Sequence, residues 1–197
     1  MAVMSRLLIP MVAAGLLVSP APAEACACCP DDGDYTSGAT KLDAFELSVL
    51  KPFRFGPTAK LSSGQRGPED FDALRHPAEA YSMSGTLQGK AFQLVFKDAG
   101  KAVPVSLTLP AQFVSYSVDI HDGKRFSGGG PLLYKEWRFE GPAKDTGLFK
   151  AGRAPNRYVL VLQGRGGRCD EPGQFTHWHL RLIGGQTDYA FTGAVAK

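Results

Sequence analysis

Cysteine is scarce in this chain: four residues in 197, three of them within Cys26–Cys29 and the fourth at Cys169. That count excludes a disulfide-dense miniprotein and supplies no second C-x-x-C to complete a zinc ribbon. Excess charge is equally small. The 22 Lys and Arg against 19 Asp and Glu leave a formal net charge of +3, with no clustered basic stripe of the kind that grips a phosphate backbone, so nucleic acid is not an expected partner. No apolar run approaches the ~20 residues that cross a bilayer as a helix. No motif recurs at a fixed period, which excludes solenoids and propellers. The chain also lacks a nucleophile elbow, an H-E-x-x-H helix, a phosphate-binding loop and an EF-hand loop, despite the closely spaced Asp31, Asp32 and Asp34.

What is present begins with an address. Arg6 precedes the apolar run Leu7–Val18, then Ser19-Pro-Ala-Pro22 breaks it ahead of Ala23-Glu24-Ala25. These are the three regions of a secretory signal ending in a small-x-small cleavage site. Twelve apolar residues at ~1.5 Å each make too short a helix for a ~30 Å hydrocarbon core, so no transmembrane span is expected. Cleavage after Ala25 makes Cys26 the first mature residue. A lipid anchor at Cys26 would want a Leu-like residue three positions upstream; Ala23 stands there, which favours simple cleavage. The expected location is therefore periplasmic or secreted, in an oxidising space.

The expected organisation is a signal peptide over 1–25, a Cys-rich tail over 26–43 and a β domain over 44–197. From Ala44 onward apolar residues alternate. Phe45, Leu47 and Val49 share a face; so do Tyr81, Met83 and Leu87, then Phe92, Leu94 and Phe96, and Val103, Val105, Leu107 and Leu109. Val114 to Ile120, Leu133 to Phe139, Thr176 to Leu182 and Asp188 to Val195 continue the pattern, which is that of half-buried strands. Arg157–Gln163 is apolar on both faces and reads as a central strand. Pro104 marks an edge or a bulge because it cannot donate to a ladder, and Gly184-Gly-Gln186 reads as a hairpin turn. Residues 52–77 stand apart as a long insertion holding the one plausible helical turn, Glu69–Arg75. The fold class that follows is all-β: a single antiparallel barrel or sandwich of about nine strands, with at most one short helix in that insertion.

The cysteines carry the first chemical expectation. Bridges within Cys28-Cys29 or Cys26-x-Cys28 are too cramped for ordinary disulfide geometry, leaving Cys26–Cys29 with Cys28–Cys169. The second bridge would tether the amino-terminal tail to the Gly164–Gly173 loop, stabilising by roughly 5 kcal/mol in the chain-entropy model. The alternative is a soft-metal site for copper or zinc, built from Cys26, Cys28, Cys29 and Cys169 with His177 and His179. Residues two apart on a strand face the same way, so both imidazoles project together.

His177, His179 and Arg181 form the polar face of an amphipathic strand, and Arg165 and Arg168 place two guanidinium groups on a Gly-rich segment able to receive an anion. His76 and His121 have no catalytic context. A histidine-based enzyme would need a carboxylate such as Asp119, Asp170, Glu171 or Asp188 beside His177 or His179, a proximity no spacing shows. The expectation is thus an exported, non-enzymatic domain that binds a small ligand or a protein partner and needs no cofactor, with metal handling as the alternative.

Overall fold

The computed structural model describes residues 35–66, 72–74, 79–98, 101–119, 133–144, 156–166, 174–184 and 187–196. In chain order the elements are β1 (Tyr35–Lys41), α1 (Ala44–Leu50), β2 (Thr58–Arg66), β3 (Asp72–Leu74), β4 (Glu79–Gln88), β5 (Ala91–Asp98), β6 (Lys101–Thr108), β7 (Gln112–Asp119), β8 (Leu133–Lys144), β9 (Arg157–Gly166), β10 (Gln174–Gly184) and β11 (Thr187–Ala194). Eight of these strands close on themselves in the order β8–β9–β10–β11–β2–β4–β5–β6, with β6 pairing β8 again. All pairings are antiparallel, and the closure of the ring decides between barrel and sandwich in favour of a barrel.

Alternation fills the barrel. Ala59 and Leu61, Met83, Phe92 with Leu94 and Phe96, Val103 with Val105 and Leu107, Phe139, Tyr158 with Leu160 and Leu162, Trp178 with Leu180 and Leu182, and Phe191 are all buried in one core. Every strand of the ring contributes. An eight-stranded barrel has just enough interior for side chains to fill, and here six aromatic rings from five different strands occupy it at 0–1% exposure. Burying each large apolar side chain stabilises by ~1.5–3 kcal/mol, so the core is the principal source of stability. Two polar groups within it are satisfied: the Trp178 indole donates to the Ala194 carbonyl at 3.0 Å, and the Tyr158 hydroxyl donates to the Thr108 carbonyl at 2.6 Å.

The sequence expectations for the later strands hold. Arg157–Gln163 lies in β9, paired on both sides by β8 and β10. Gly184 faces Thr187 across a two-residue hairpin. Pro104 pairs Val95 of β5, and among the described residues β8 reaches β6 at Ser106 and Leu107, so the proline lies outside the described β6–β8 ladder.

The amino-terminal third differs from expectation. Phe45, Leu47 and Val49 do not lie on a strand but in α1, the one helix among the described residues. Asp43 caps it: the Phe45 N–H donates to Asp43 Oδ1 at 2.8 Å, and the Asp43 N–H donates to Glu46 Oε2 at 3.2 Å. Leu47, Leu50 and Phe53 fall at helical spacing; Leu50 and Phe53 are buried, while Phe45 is exposed. The apparent period of two was three apolar residues that a helix uses differently.

Within residues 52–77, β2 is a full barrel strand between β4 and β11 and not part of an insertion. Asp72–Leu74, inside the expected helical turn, is a short strand paired to β2. The link from α1 to β2 carries Phe53 and Phe55 into the core, where Phe55 meets Phe92 and Trp178 edge-on at 5.3 Å.

Two strands extend the sheet past the ring. β7 continues the line of β6 along β8, with the register moving from Leu107↔Ala143 to Val114↔Arg138, a slip of two residues around Leu109-Pro110-Ala111. Its other neighbour is β1 rather than β5. One side of the barrel is therefore continuous with a six-strand sheet, β1–β7–β8–β9–β10–β11.

Candidate functional site

The barrel interior is occupied by its own side chains, and among the described residues polar side chains from neighbouring strands gather on the outer face of that six-strand sheet. Register fixes which residues are neighbours there. One row runs Val118–Tyr134–Arg165, the next Tyr116–Glu136–Gln163–His177, the next Val114–Arg138–Val161–His179, and the last Glu140–Val159–Arg181. Trp178, Leu180 and Leu182 point inward, so the alternation of β10 necessarily turns His177, His179 and Arg181 outward. His177 and His179 thus share the outer face, as their spacing implies. A second expectation fails: Arg165 belongs to strand β9, opposite Tyr134 and Gln174, instead of lying on a flexible glycine segment. Arg168 and all four cysteines, Cys26, Cys28, Cys29 and Cys169, lie outside the described residues, as do His76, His121, Asp170 and Glu171.

The face is a mosaic of fixed charges. Arg181 engages Asp188 through both Nε and Nη2, and the Asp188 side chain is only 6% exposed. Arg138 Nε donates to Glu140 Oε1 at 2.7 Å, and Arg157 approaches the other oxygen at 3.8 Å. These last groups are well exposed, and such surface pairs orient side chains more than they stabilise. Further along, Glu136 Oε1 accepts from both the Tyr134 hydroxyl and Gln163 Nε2, at 2.5 and 2.8 Å. Burial and the bonded Glu136 carboxylate push the Tyr134 hydroxyl pKa well above its usual range. Sequence reasoning missed this trio; β8 and β9 had to be in register before Gln163 became a neighbour of Tyr134 and Glu136.

His179 is half-buried, and its pKa is lowered below the ordinary imidazole value, first by desolvation and then by the positive Arg181 and Arg138; Asp188 opposes the shift. The shift favours the neutral form of the imidazole. His177 is exposed, with Nδ1 3.0 Å from Thr176 Oγ1. Among the described residues no carboxylate hydrogen-bonds either histidine, because Asp188 is held by Arg181. The geometry of a histidine–carboxylate acid–base pair is not formed there. No group of three or more metal-ligating side chains occurs among the described residues either, and no helix in them is long and apolar enough to cross a membrane.

The topology also brings chain segments together. Tyr35, at the start of β1, pairs Val118; Val118 pairs Tyr134, which pairs Arg165, which pairs Gln174. The chain arriving from Cys29 and the connection holding Cys169 therefore join the same end of the same sheet. Tyr35 and Arg165 stand three strand spacings apart, about 14 Å. The fold and this outer face define a filled, antiparallel β-barrel domain with a polar, aromatic-flanked sheet on one side. Comparison with protein-family models, with curated proteins and with solved structures finds no match.

Proposed function

We propose that the chain is an exported β-barrel domain that binds a small polar ligand or a protein partner on the outside of the barrel, over β8–β10, with its amino-terminal tail tethered to the β9–β10 connection through Cys28–Cys169. One observation carries this reading. All eight ring strands send apolar side chains inward to a single core, while Tyr134, Glu136, Gln163, His177 and His179 gather hydrogen-bonding capacity outward in adjacent rows. Binding sites combine apolar surface with a few oriented polar groups, and this face has both. The shared sheet end of Tyr35 and Arg165 supports the tether, because the seven residues from Cys28 to Tyr35 reach ~24 Å when extended.

Site-directed photo-crosslinking in the exporting compartment tests the location. A photoreactive residue at position 177 or 165 should capture a defined species that the same residue at position 97 does not. Lys97 is exposed on β5, the strand lying four places from β10 in either direction around the ring. Equal capture at both positions, or capture at 97 alone, would refute the outer-face site.

A second reading is metal handling. His179, whose surroundings favour the neutral imidazole, and its same-face neighbour His177 suit copper or zinc, and the sheet end that receives both cysteine-bearing segments lies beyond them. The metal content of the exported protein distinguishes the two: near-stoichiometric copper or zinc with free thiols favours this reading and removes the tether.

A further inference from the structure

We infer that β1 is an association strand, and that it pairs antiparallel with β1 of a second copy of this chain. This is independent of the binding role above. Six of the seven residues of Tyr35–Lys41 are exposed and only Thr40 is partly covered, so neither face of the strand is buried. It is held by pairing to β7, by the hydroxyl contacts Thr36–Ser117 and Thr40–Ser115 at 2.7 Å, and by the Tyr35–Tyr116 ring contact at 5.9 Å. Among the described residues its other edge carries no ladder.

Folded proteins guard such edges with proline, bulges or charge. β1 has no proline, no register break and one charge, Lys41, at its end. An unguarded edge of this length invites another strand.

The sequence of β1 also complements itself. Pairing centred on Gly38 sets Tyr35 opposite Lys41 of the second copy, Thr36 opposite Thr40, and Ser37 opposite Ala39. Each lysine then meets an aromatic ring, a favourable cation–π arrangement, and each threonine meets a threonine. The two lysines lie at opposite ends, ~20 Å apart, beyond the ~8–10 Å over which exposed charges repel at physiological salt. At the centre Gly38 faces Gly38, where a Cβ would meet nothing within 4 Å on its own chain and two backbones approach freely. The contact is isologous, as a twofold dimer requires. Two edge strands bury much less than the ~1,200 Å² of a stable interface, so the association is weak and depends on concentration.

Sedimentation equilibrium of the full chain, run with reductant across ~10 µM to ~1 mM, tests the pairing. The weight-average mass should climb toward twice the monomer's. Two double variants at exposed positions, Ser37→Lys with Ala39→Lys and Ser37→Glu with Ala39→Glu, should each stay monomeric, because like charges then face each other. Mixing them should restore the dimer at least as strongly as in the unaltered chain. A monomer throughout the range, a dimer that ignores both variants, or a mixture that stays monomeric would each overturn the proposal.

Discussion

The Arg181 guanidinium reaches diagonally across the β10–β11 hairpin to grip Asp188, with Nε 3.2 Å from Oδ1 and Nη2 on Oδ2. The carboxylate is almost fully covered and the guanidinium about one-third exposed. Breaking such a pair costs more than an open surface pair, since it strands one charge in a partly desolvated place. Asp188→Ala should lower stability by about 2–3 kcal/mol. Asp188→Ala in an Arg181→Met background should cost clearly less. Urea midpoints of the two singles and the double give the coupling, and strict additivity would show that the pair contributes nothing as a pair.

His179 makes stability pH-dependent. Its folded pKa lies below the unfolded imidazole value of 6.5, so the unfolded chain binds more protons and stability rises with pH through this window. The contribution is fully present above about pH 6.5 and is lost as pH falls toward the folded pKa. His179→Gln should flatten the change in urea midpoint between pH 5.5 and 7.5. An unaltered slope in the variant would assign the pH dependence elsewhere.

Gly193 sits beneath the Trp178 ring. A Cβ there would run into the indole and come within 2.8 Å of the Thr58 carbonyl oxygen, and neither the fully buried ring nor the backbone can yield. Gly193→Ala should therefore destabilise by roughly 1–3 kcal/mol and perturb the Trp178 fluorescence. Gly38→Ala, where space is open, should leave the fluorescence unchanged. A silent Gly193→Ala would mean that the ring is not packed as described.

The sequence disclosed the fold wherever burial imposed a period. β4 to β6, β8, β10 and β11 alternate because one face lies in the core, β9 runs continuously apolar because both its faces are covered, and the filled barrel follows from that pattern. It was silent where burial imposes none: Tyr35–Lys41 has no inward face, so β1 reads as part of the Cys-rich tail over 26–43. In α1 the adjacent Val49 and Leu50 fitted a helix better than a strand, yet the shorter alternation of Phe45, Leu47 and Val49 masked it. At the site, the orientation of His177, His179 and Arg181 was legible from period two alone. The partners Glu136, Gln163, Arg138 and Asp188 were not, because cross-strand register is set by topology and turn lengths that local pattern does not encode.

Intact-mass and peptide mass spectrometry of protein recovered from the exporting compartment tests the central claim most directly. A tethered, exported domain begins at Cys26, is lighter than its all-thiol mass by two hydrogens for each of two bridges, and yields a peptide pair linked through Cys28 and Cys169. Cys169→Ser should then expose one free thiol. Recovery of the chain with residues 1–25 attached and all four thiols free would contradict export, the tether and the binding role built on them.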